Sequence, residues 1–120
     1  MSEIREILAE LVTVEGVRGA AVLTTDGIVV ASELGDDFSD DVVVGLSSFL
    51  VATTARSLRE AGMGTFHRFT LNATHGTVVL CDFGEAFVVA MTDQFADLQK
   101  CSIRVQETAA ALRRVVRIEI

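Results

Sequence analysis

The spacing of apolar residues along this 120-residue chain predicts a helix, a hairpin and a second helix in its first half. Residues 2–14 carry apolar side chains at the spacing of one helix face. Two nearly continuous apolar runs follow at residues 20–24 and 28–32, joined by Asp26-Gly27. This arrangement predicts a hairpin with a type I′ turn, which requires positive φ at both central residues. Because neither run alternates, we expect both faces of the sheet to be covered.

The longest predicted helix spans residues 39–62 and has an unusual surface. Ser39 is placed to cap its first turn, and Gly62 to end it in a left-handed conformation. No charged side chain occurs between Asp41 and Arg56. Two stripes recur at helical spacing, one of Val42, Leu46, Phe49 and Thr53 and the other of Val43, Leu50, Thr54 and Leu58.

A helix with two apolar stripes needs two surfaces to lie against, whereas a surface helix normally has one. A sheet of the same chain can supply the first surface. A chain of this length has little left to supply the second, so we predict a partner, most simply a second copy. The alternative is a helix buried on all sides within one chain.

The second half of the chain predicts three strands and a last helix. The strands are residues 65–72, 77–83 and 86–91, with turns at 73–76 and at Gly84-Glu85. The first of them alternates imperfectly, as an edge strand does. The helix spans residues 95–116, with Asp93 as its cap. Its predicted core-facing seam is Phe95, Leu98, Ser102, Val105, Ala109, Leu112 and Val116.

This order of elements predicts an α+β sandwich: a five-stranded antiparallel sheet with helices on both faces. Half of the residues are hydrophobic and 22% are charged, as in a single globular domain spanning residues 1–120. A net charge of -7 argues against a nucleic-acid partner, which requires clustered Lys and Arg. No apolar run reaches 18 residues and no signal sequence is recognisable, so we expect a cytoplasmic protein without a membrane span.

The sequence contains no strong metal-binding motif. His67 and His75 lack a third ligand at a zinc-like spacing, and we expect His67 to be packed within its strand. Four acidic residues near the start of the central helix do not match the alternating ligands of a calcium loop. They are Asp36, Asp37, Asp40 and Asp41, and we interpret them as a solvated helix start.

Catalytic motifs are equally weak. Ser47-Ser48 lies inside the central helix without the elbow that a nucleophile would use, so these small residues more plausibly allow another helix to approach closely. Cys81 falls in an apolar run and is expected to be buried. Cys101 lies in a helix with little to activate its thiol. We expect no catalytic residue, no cofactor and no metal.

Residues 16–32 resemble the signature of the Roadblock family, in which a glycine and a strand precede Asp-Gly, a second strand and Ala-Ser. Here the Asp-Gly and Ala-Ser parts are Asp26-Gly27 and Ala31-Ser32, and the order of elements matches over the whole chain. The family includes dynein light chains of the roadblock type and bacterial and archaeal regulators of small Ras-like GTPases. The resemblance implies a roadblock/profilin-like sheet of order 2-1-5-4-3, with the central helix on one face and the terminal helices on the other.

The resemblance also implies a homodimer, or a heterodimer with a related Roadblock chain, in which the central helices pack together and the third strands pair across the axis. The implied interface residues are Val42, Leu46, Phe49, Leu50, Thr53, Phe66, Arg68 and Thr70. Leu46→Asp or Phe49→Asp is expected to split such a dimer, because each would bury an unpaired charge.

Three functions are compatible with the resemblance. The first is a regulator that binds the GTP-bound switch surface of a small Ras-like GTPase. Arg56 and Arg59 are the contact candidates, although the family does not imply an arginine finger. The second is a scaffold or adaptor without effect on hydrolysis, and the third is a small-molecule sensor. The family is not known for chemistry of its own.

Overall fold

A computed structural model describes residues 2–36, 38–84 and 86–119, and only the backbone of Ser2, Asp40 and residues 117–119. Its elements in chain order are α1 (Ser2–Val12), β1 (Val17–Thr24), β2 (Val29–Leu34), α2 (Asp40–Glu60), β3 (Arg68–Ala73), β4 (Gly76–Asp82), β5 (Ala86–Asp93) and α3 (Leu98–Glu119). Two predictions lie outside the described residues: Asp37 in the acidic loop and Glu85 in a turn. The side chain of Asp40 lies outside them too.

The strands form one antiparallel sheet in the order β2-β1-β5-β4-β3, which confirms the implied topology. Strands β1, β4 and β5 lie inside the sheet and are buried along most of their length. Their nearly continuous apolar sequences reflect this position, because both of their faces are covered. Strands β2 and β3 form the two edges.

The helices divide between the two faces as the resemblance implies. Leu8 of α1 and Val105 and Leu112 of α3 are fully buried in one apolar cluster. Val43 of α2 is buried in a second cluster with Leu80 and other strand residues. Successive residues of a strand point to opposite faces. The two clusters are therefore the two sides of one sheet.

The β1–β2 hairpin forms as predicted, but its predicted turn type is wrong. The Thr24 N–H donates to the Ile28 oxygen at 2.9 Å, and the Gly27 N–H donates to the Thr24 oxygen at 3.0 Å. Gly27 has a φ of 86°, whereas Asp26 has no positive φ. This is a type I turn followed by a left-handed glycine, the usual three-residue hairpin loop.

Both predicted ends of α2 are confirmed. Ser39 Oγ accepts a hydrogen bond from the Val42 N–H at 3.3 Å. At the other end Gly62 has a φ of 73°. The Met63 N–H donates to the Leu58 oxygen at 2.8 Å and the Gly62 N–H to the Arg59 oxygen at 3.0 Å, which is the Schellman pattern.

The predicted start and cap of α3 are wrong. The helix begins at Leu98, and Asp97 Oδ1 accepts from the Lys100 N–H at 3.2 Å. Asp93 Oδ1 accepts instead from the Phe95 N–H at 2.9 Å, in a turn that precedes the helix. Two aspartates four residues apart offer similar caps, and packing against the sheet selects the second.

The later start also changes the buried seam of α3. Phe95 and Leu98 of the predicted seam are 85% and 39% exposed. Ser102, also predicted to face the core, is only partly buried, and its neighbour Cys101 is fully buried instead. The predicted seam is correct at Val105, Ala109 and Leu112. The segment from Gln94 to Leu98 therefore contributes no fully buried residue to the core.

Gly27→Ala is expected to lower the free energy of unfolding by about 1–3 kcal/mol, since positive φ strains a residue with a Cβ. That Cβ would also meet Ser48 Oγ. Gly35→Ala is the control, because its Cβ would meet only the Arg18 carbonyl oxygen at 3.5 Å. Urea unfolding compares the two variants, and equal losses would contradict the account.

Candidate functional site

The side of α2 that points away from the sheet is apolar and exposed. Val42 is 65% exposed, Leu46 40% and Phe49 66%. The second predicted stripe faces the sheet, with Val43 buried and Leu50 partly buried. The alternative of a helix buried on all sides is therefore wrong for the described chain. We name this exposed side the outer face; it consists of Val42, Gly45, Leu46, Phe49, Ala52 and Arg56.

The two flanks of α2 differ in their surroundings. Val44 and Ser48 lie against Gly27 in the β1–β2 turn, and α2 approaches β2 more closely than it approaches any other strand. Helical residues are about 100° apart, so the opposite flank carries Leu46, Leu50 and Thr53. That flank lies toward β3.

Ser47 and Ser48 contact their own chain, so the expectation that they receive another helix is wrong. Ser47 is buried. Ser48 Oγ is also buried and has no hydrogen-bond partner among the described residues. Its small side chain allows the turn at Gly27 to approach α2. Gly45, by contrast, lies on the outer face with open space beside it.

Strand β3 is an open edge, as predicted, although it begins at Arg68 rather than at residue 65. It pairs with β4 alone, and every residue except Phe69 is exposed. Leu71 is opposite Val78 and Phe69 opposite Leu80, so both lie on the α2 side of the sheet. The edge thus offers backbone hydrogen-bonding groups and a partly uncovered apolar margin.

The implied interface residues on this edge have different positions. Phe66 precedes β3 and stacks on Phe87, with ring centroids 5.7 Å apart. It therefore packs on the core of its own chain rather than on an edge open to a partner. The prediction that places Phe66 in the strand is wrong. Arg68 and Thr70 are exposed and point to the other face of the sheet, because they alternate with Phe69.

The two candidate arginines lie in the last turns of α2, and both are exposed. Among the described residues neither forms an ion pair. Arg59 lines a cavity of about 530 Å³ whose walls include Thr25, Asp82 and Phe87. The guanidinium groups are therefore available to a partner that approaches this end of the helix.

Neither histidine contributes to a cluster of metal ligands. His67 is 80% exposed and lies before β3, so the expectation of a packed histidine is wrong. Its Nδ1 lies 3.3 Å from Asp82 Oδ2. His75 Nδ1 lies 3.2 Å from Gln94 Oε1. Within residues 2–36, 38–84 and 86–119, no three His, Cys, Asp or Glu side chains are grouped to hold a metal ion.

By length and composition alone, Asp41–Glu60 of α2 could cross a membrane. The expectation of no membrane span rests on an uninterrupted apolar run, which glycine, serine and threonine break in this helix. A core helix passes the same test of composition. Here one side of α2 packs on the sheet and only the outer face is apolar and exposed.

Cys81 and Cys101 are both free and buried, as expected for Cys81. Burial raises the pKa of the Cys81 thiol, and the charge of Asp82 raises it further. Burial likewise raises the pKa of the Cys101 thiol, followed by the effects of Asp97 and Asp93. Both thiols therefore stay protonated at neutral pH, and neither is an activated nucleophile.

Both thiols are expected to resist a disulfide-exchange reagent at pH 7 in the folded protein and to react fully in guanidinium. The reaction requires the thiolate, and a raised pKa lowers its fraction at this pH. A spectrophotometric thiol count with and without denaturant makes the comparison. A thiol that reacts within seconds in the native protein would contradict this assignment.

The chain is similar to known proteins in both sequence and fold. The family model described as the Roadblock/LC7 domain matches residues 3–93. Uncharacterized protein MJ1340 of Methanocaldococcus jannaschii is 30% identical over 110 residues, covering 92% of this chain and 96% of that protein.

Solved structures extend the likeness of fold to the whole chain. MglB of Myxococcus xanthus aligns with a TM-score of 0.91 at 12% identity, covering 99% of this chain and 91% of that one. The gliding protein MglB of Thermus thermophilus aligns with a TM-score of 0.84 at 22% identity, covering 95% and 88%.

Proposed function

The chain belongs to the Roadblock/LC7 domain family, and on this premise we propose that it is a dimeric regulator of a small Ras-like GTPase. It acts by binding, without catalysis of its own, and in the cytoplasm. Its partner in the dimer is a second copy or a related Roadblock chain. The observation that carries the proposal is the apolar surface left uncovered on α2 and beside β3.

The dimer is supported by a difference between the two faces of the sheet, because helices cover one face more completely than the other. Five strands about 4.8 Å apart span roughly 20 Å, and a helix is about 10 Å wide. Two helices, α1 and α3, cover one face, but α2 alone lies on the other. Because α2 lies toward β2, the uncovered part is the margin beside β3. A helix from another chain completes this layer.

Pairing along β3 brings that second helix to the right place. Two β3 strands running antiparallel across a two-fold axis would continue the sheet and satisfy both edges. The same axis places the two α2 helices side by side on one face. Their facing flanks are then Leu46, Leu50 and Thr53 of each chain, which are apolar or uncharged. This arrangement removes apolar surface from water, the main favourable contribution to such contacts.

Leu46→Asp is expected to convert the dimer to a folded monomer, because dimerisation would bury a carboxylate without a partner. Light scattering should give twice 12.9 kDa for the original protein and 12.9 kDa for the variant. Ile103→Asp is the matched control, since Ile103 is 54% exposed on α3, on the other side of the sheet. A Leu46→Asp variant that remains dimeric would contradict this interface.

We propose that the GTPase binds at the arginines of α2, which remain accessible when the two chains pair along β3. Arg56 lies on the outer face and Arg59 beside it, so both point away from the flank that meets the second helix. Each dimer therefore presents two copies of this cationic helix end. A switch surface docked there would receive guanidinium groups close to its nucleotide, where they can stabilise negative charge.

Capture of candidate Ras-like GTPases on the immobilised protein tests this role. We expect retention in the presence of a GTP analogue and little in GDP, and at least tenfold weaker binding for Arg59→Ala. Arg114→Ala, an exposed arginine on α3, is the control. Retention without any change in hydrolysis rate would assign a scaffold instead, and equal retention in both nucleotide states would contradict the proposal.

A further inference from the structure

A small polar cleft lies on the face of the sheet opposite α2, between the start of β3 and α3. Its volume is about 320 Å³, and its walls include His67, Arg68, Asp82, Gln106 and Arg113. We name it the β3–α3 cleft. All of these residues belong to one chain, so the cleft depends neither on the proposed dimer nor on the proposed GTPase contact.

The cleft exists because α3 does not cover the edge strand. Helix α3 packs over β4 and β5, whereas Arg68, Thr70 and Asn72, on the same face of β3, are exposed. The wall that α3 contributes includes Ala109 and Ala110, whose short side chains leave space between the helix and the strand. Pairing along β3 would use the backbone edge of the strand, so this face would stay uncovered.

Two guanidinium groups approach the cleft from different elements. Arg68 of β3 is opposite Cys81 of β4 in the sheet. Arg113 Nη2 of α3 lies 3.9 Å from a carboxylate oxygen of Asp82, the residue after Cys81. Burial raises the pKa of the Cys81 thiol and the charge of Asp82 raises it further, whereas Arg68 and Arg113 both lower it. Both positive charges therefore act at the same point, in a chain whose net charge is -7.

The carboxylate of Asp82 orients two of the donors around the cleft. Its Oδ2 lies 3.3 Å from His67 Nδ1, and its Oδ1 lies 3.9 Å from Arg113 Nη2. One carboxylate faces two guanidinium groups, so positive charge remains in excess. Each guanidinium has five N–H donors, and Arg68 forms no ion pair with any residue that the structure describes. Gln106 adds a side-chain amide that can also donate.

This set of donors suits a phosphate group. A planar carboxylate can be satisfied by one guanidinium, whereas a phosphate monoester offers three acceptor oxygens and close to two negative charges. The guanidinium groups would repel a metal cation, and no three metal-ligating side chains are grouped within the described ranges. The volume of the cleft lies near the lower end of the range for ligand pockets, about 300–1,000 Å³, so the ligand is small.

We propose that the β3–α3 cleft binds the phosphate group of a small phosphorylated molecule. Arg68 and Arg113 donate to the phosphate oxygens from two sides, Gln106 donates from α3, and Asp82 holds Arg113 in position. A long polyanion such as a nucleic acid does not fit this role, because the acidic remainder of the chain would repel it. The cleft thus adds a small-molecule site to a domain whose other proposed contacts are with proteins.

Titration with glycerol 3-phosphate, followed through backbone amide signals in NMR spectra, tests the site. We expect saturable shifts for residues that line the cleft, and a melting temperature that rises with ligand concentration. Glycerol is the control without a phosphate group, and sodium chloride at equal ionic strength is the control for general screening. Neither should reproduce the shifts.

Arginine variants identify the donors. Arg68→Ala and Arg113→Ala should each weaken binding by about tenfold or more, because each removes charge-assisted hydrogen bonds. Both side chains are exposed over about half of their surface or more, so the variants should fold. Arg114→Ala is the matched control, since Arg114 is an exposed neighbour that does not line the cleft.

Asp82→Asn should have the opposite effect and strengthen binding severalfold. It removes a negative charge that repels the phosphate, and it keeps a side-chain oxygen that can accept from Arg113. The same titration measures this change. Stronger binding in this variant, together with weaker binding in the arginine variants, would locate the phosphate group between these side chains.

Several results would overturn the proposal. Equal losses in Arg113→Ala and Arg114→Ala would show attraction by general charge alone, as would equal shifts in sodium chloride. Shifts that do not saturate would show that no site exists. A phosphoserine peptide that binds at least about tenfold more tightly than glycerol 3-phosphate would assign the cleft to a modified protein segment instead. None of these measurements uses a GTPase, so failure of this proposal and failure of the proposed regulator are distinguishable.

Discussion

A single helix cannot cover one face of a five-stranded sheet. In this chain α1 and α3 together bury one face, whereas α2 lies toward β2 and leaves the margin along β3 open. The open margin includes an unpaired strand edge, which proteins rarely leave accessible. In the dimer that we propose, a second chain covers this margin, and the residues of α2 determine how the two chains meet.

The sequence of α2 combines two requirements in one helix. Its inner side must be apolar to pack on Leu80 and its neighbours, and its caps at Ser39 and Gly62 hold its ends in place. Its outer side carries no charge until Arg56, whereas a helix side that faces only water is normally charged or polar. The proposed regulator uses this second side.

Much of the fold could be predicted from periodicity and turn chemistry. The sheet order and layering followed from the family resemblance, and the two caps of α2 from the residues themselves. The errors arose where the sequence offers near-equivalent choices. Asp93 and Asp97 can both cap a helix, and tertiary packing chose Asp97. Asp26-Gly27 suits two kinds of hairpin turn, and the chain adopts the longer one, in which Thr25 is also a loop residue.

The candidate site was harder to predict because exposure is a property of the assembled layers. Spacing identified both stripes of α2, but only packing reveals that Val42 and Phe49 point away from the sheet while Leu46 lies on the flank toward β3. The exposed position of His67 and the inward position of Ser48 likewise depend on contacts distant in sequence. Periodicity gives the faces of a helix, but not which neighbour each face meets.

Amide hydrogen exchange along β3 tests the central claim most directly. In an isolated chain, alternate amides of Arg68–Ala73 have no partner in the sheet and should exchange nearly as fast as in a free peptide. If β3 pairs with another β3, all of these amides should be protected at concentrations where the protein is dimeric, and half should lose protection in Leu46→Asp. Fast exchange of alternate β3 amides in the unsubstituted protein, with β4 and β5 still protected, would contradict the account.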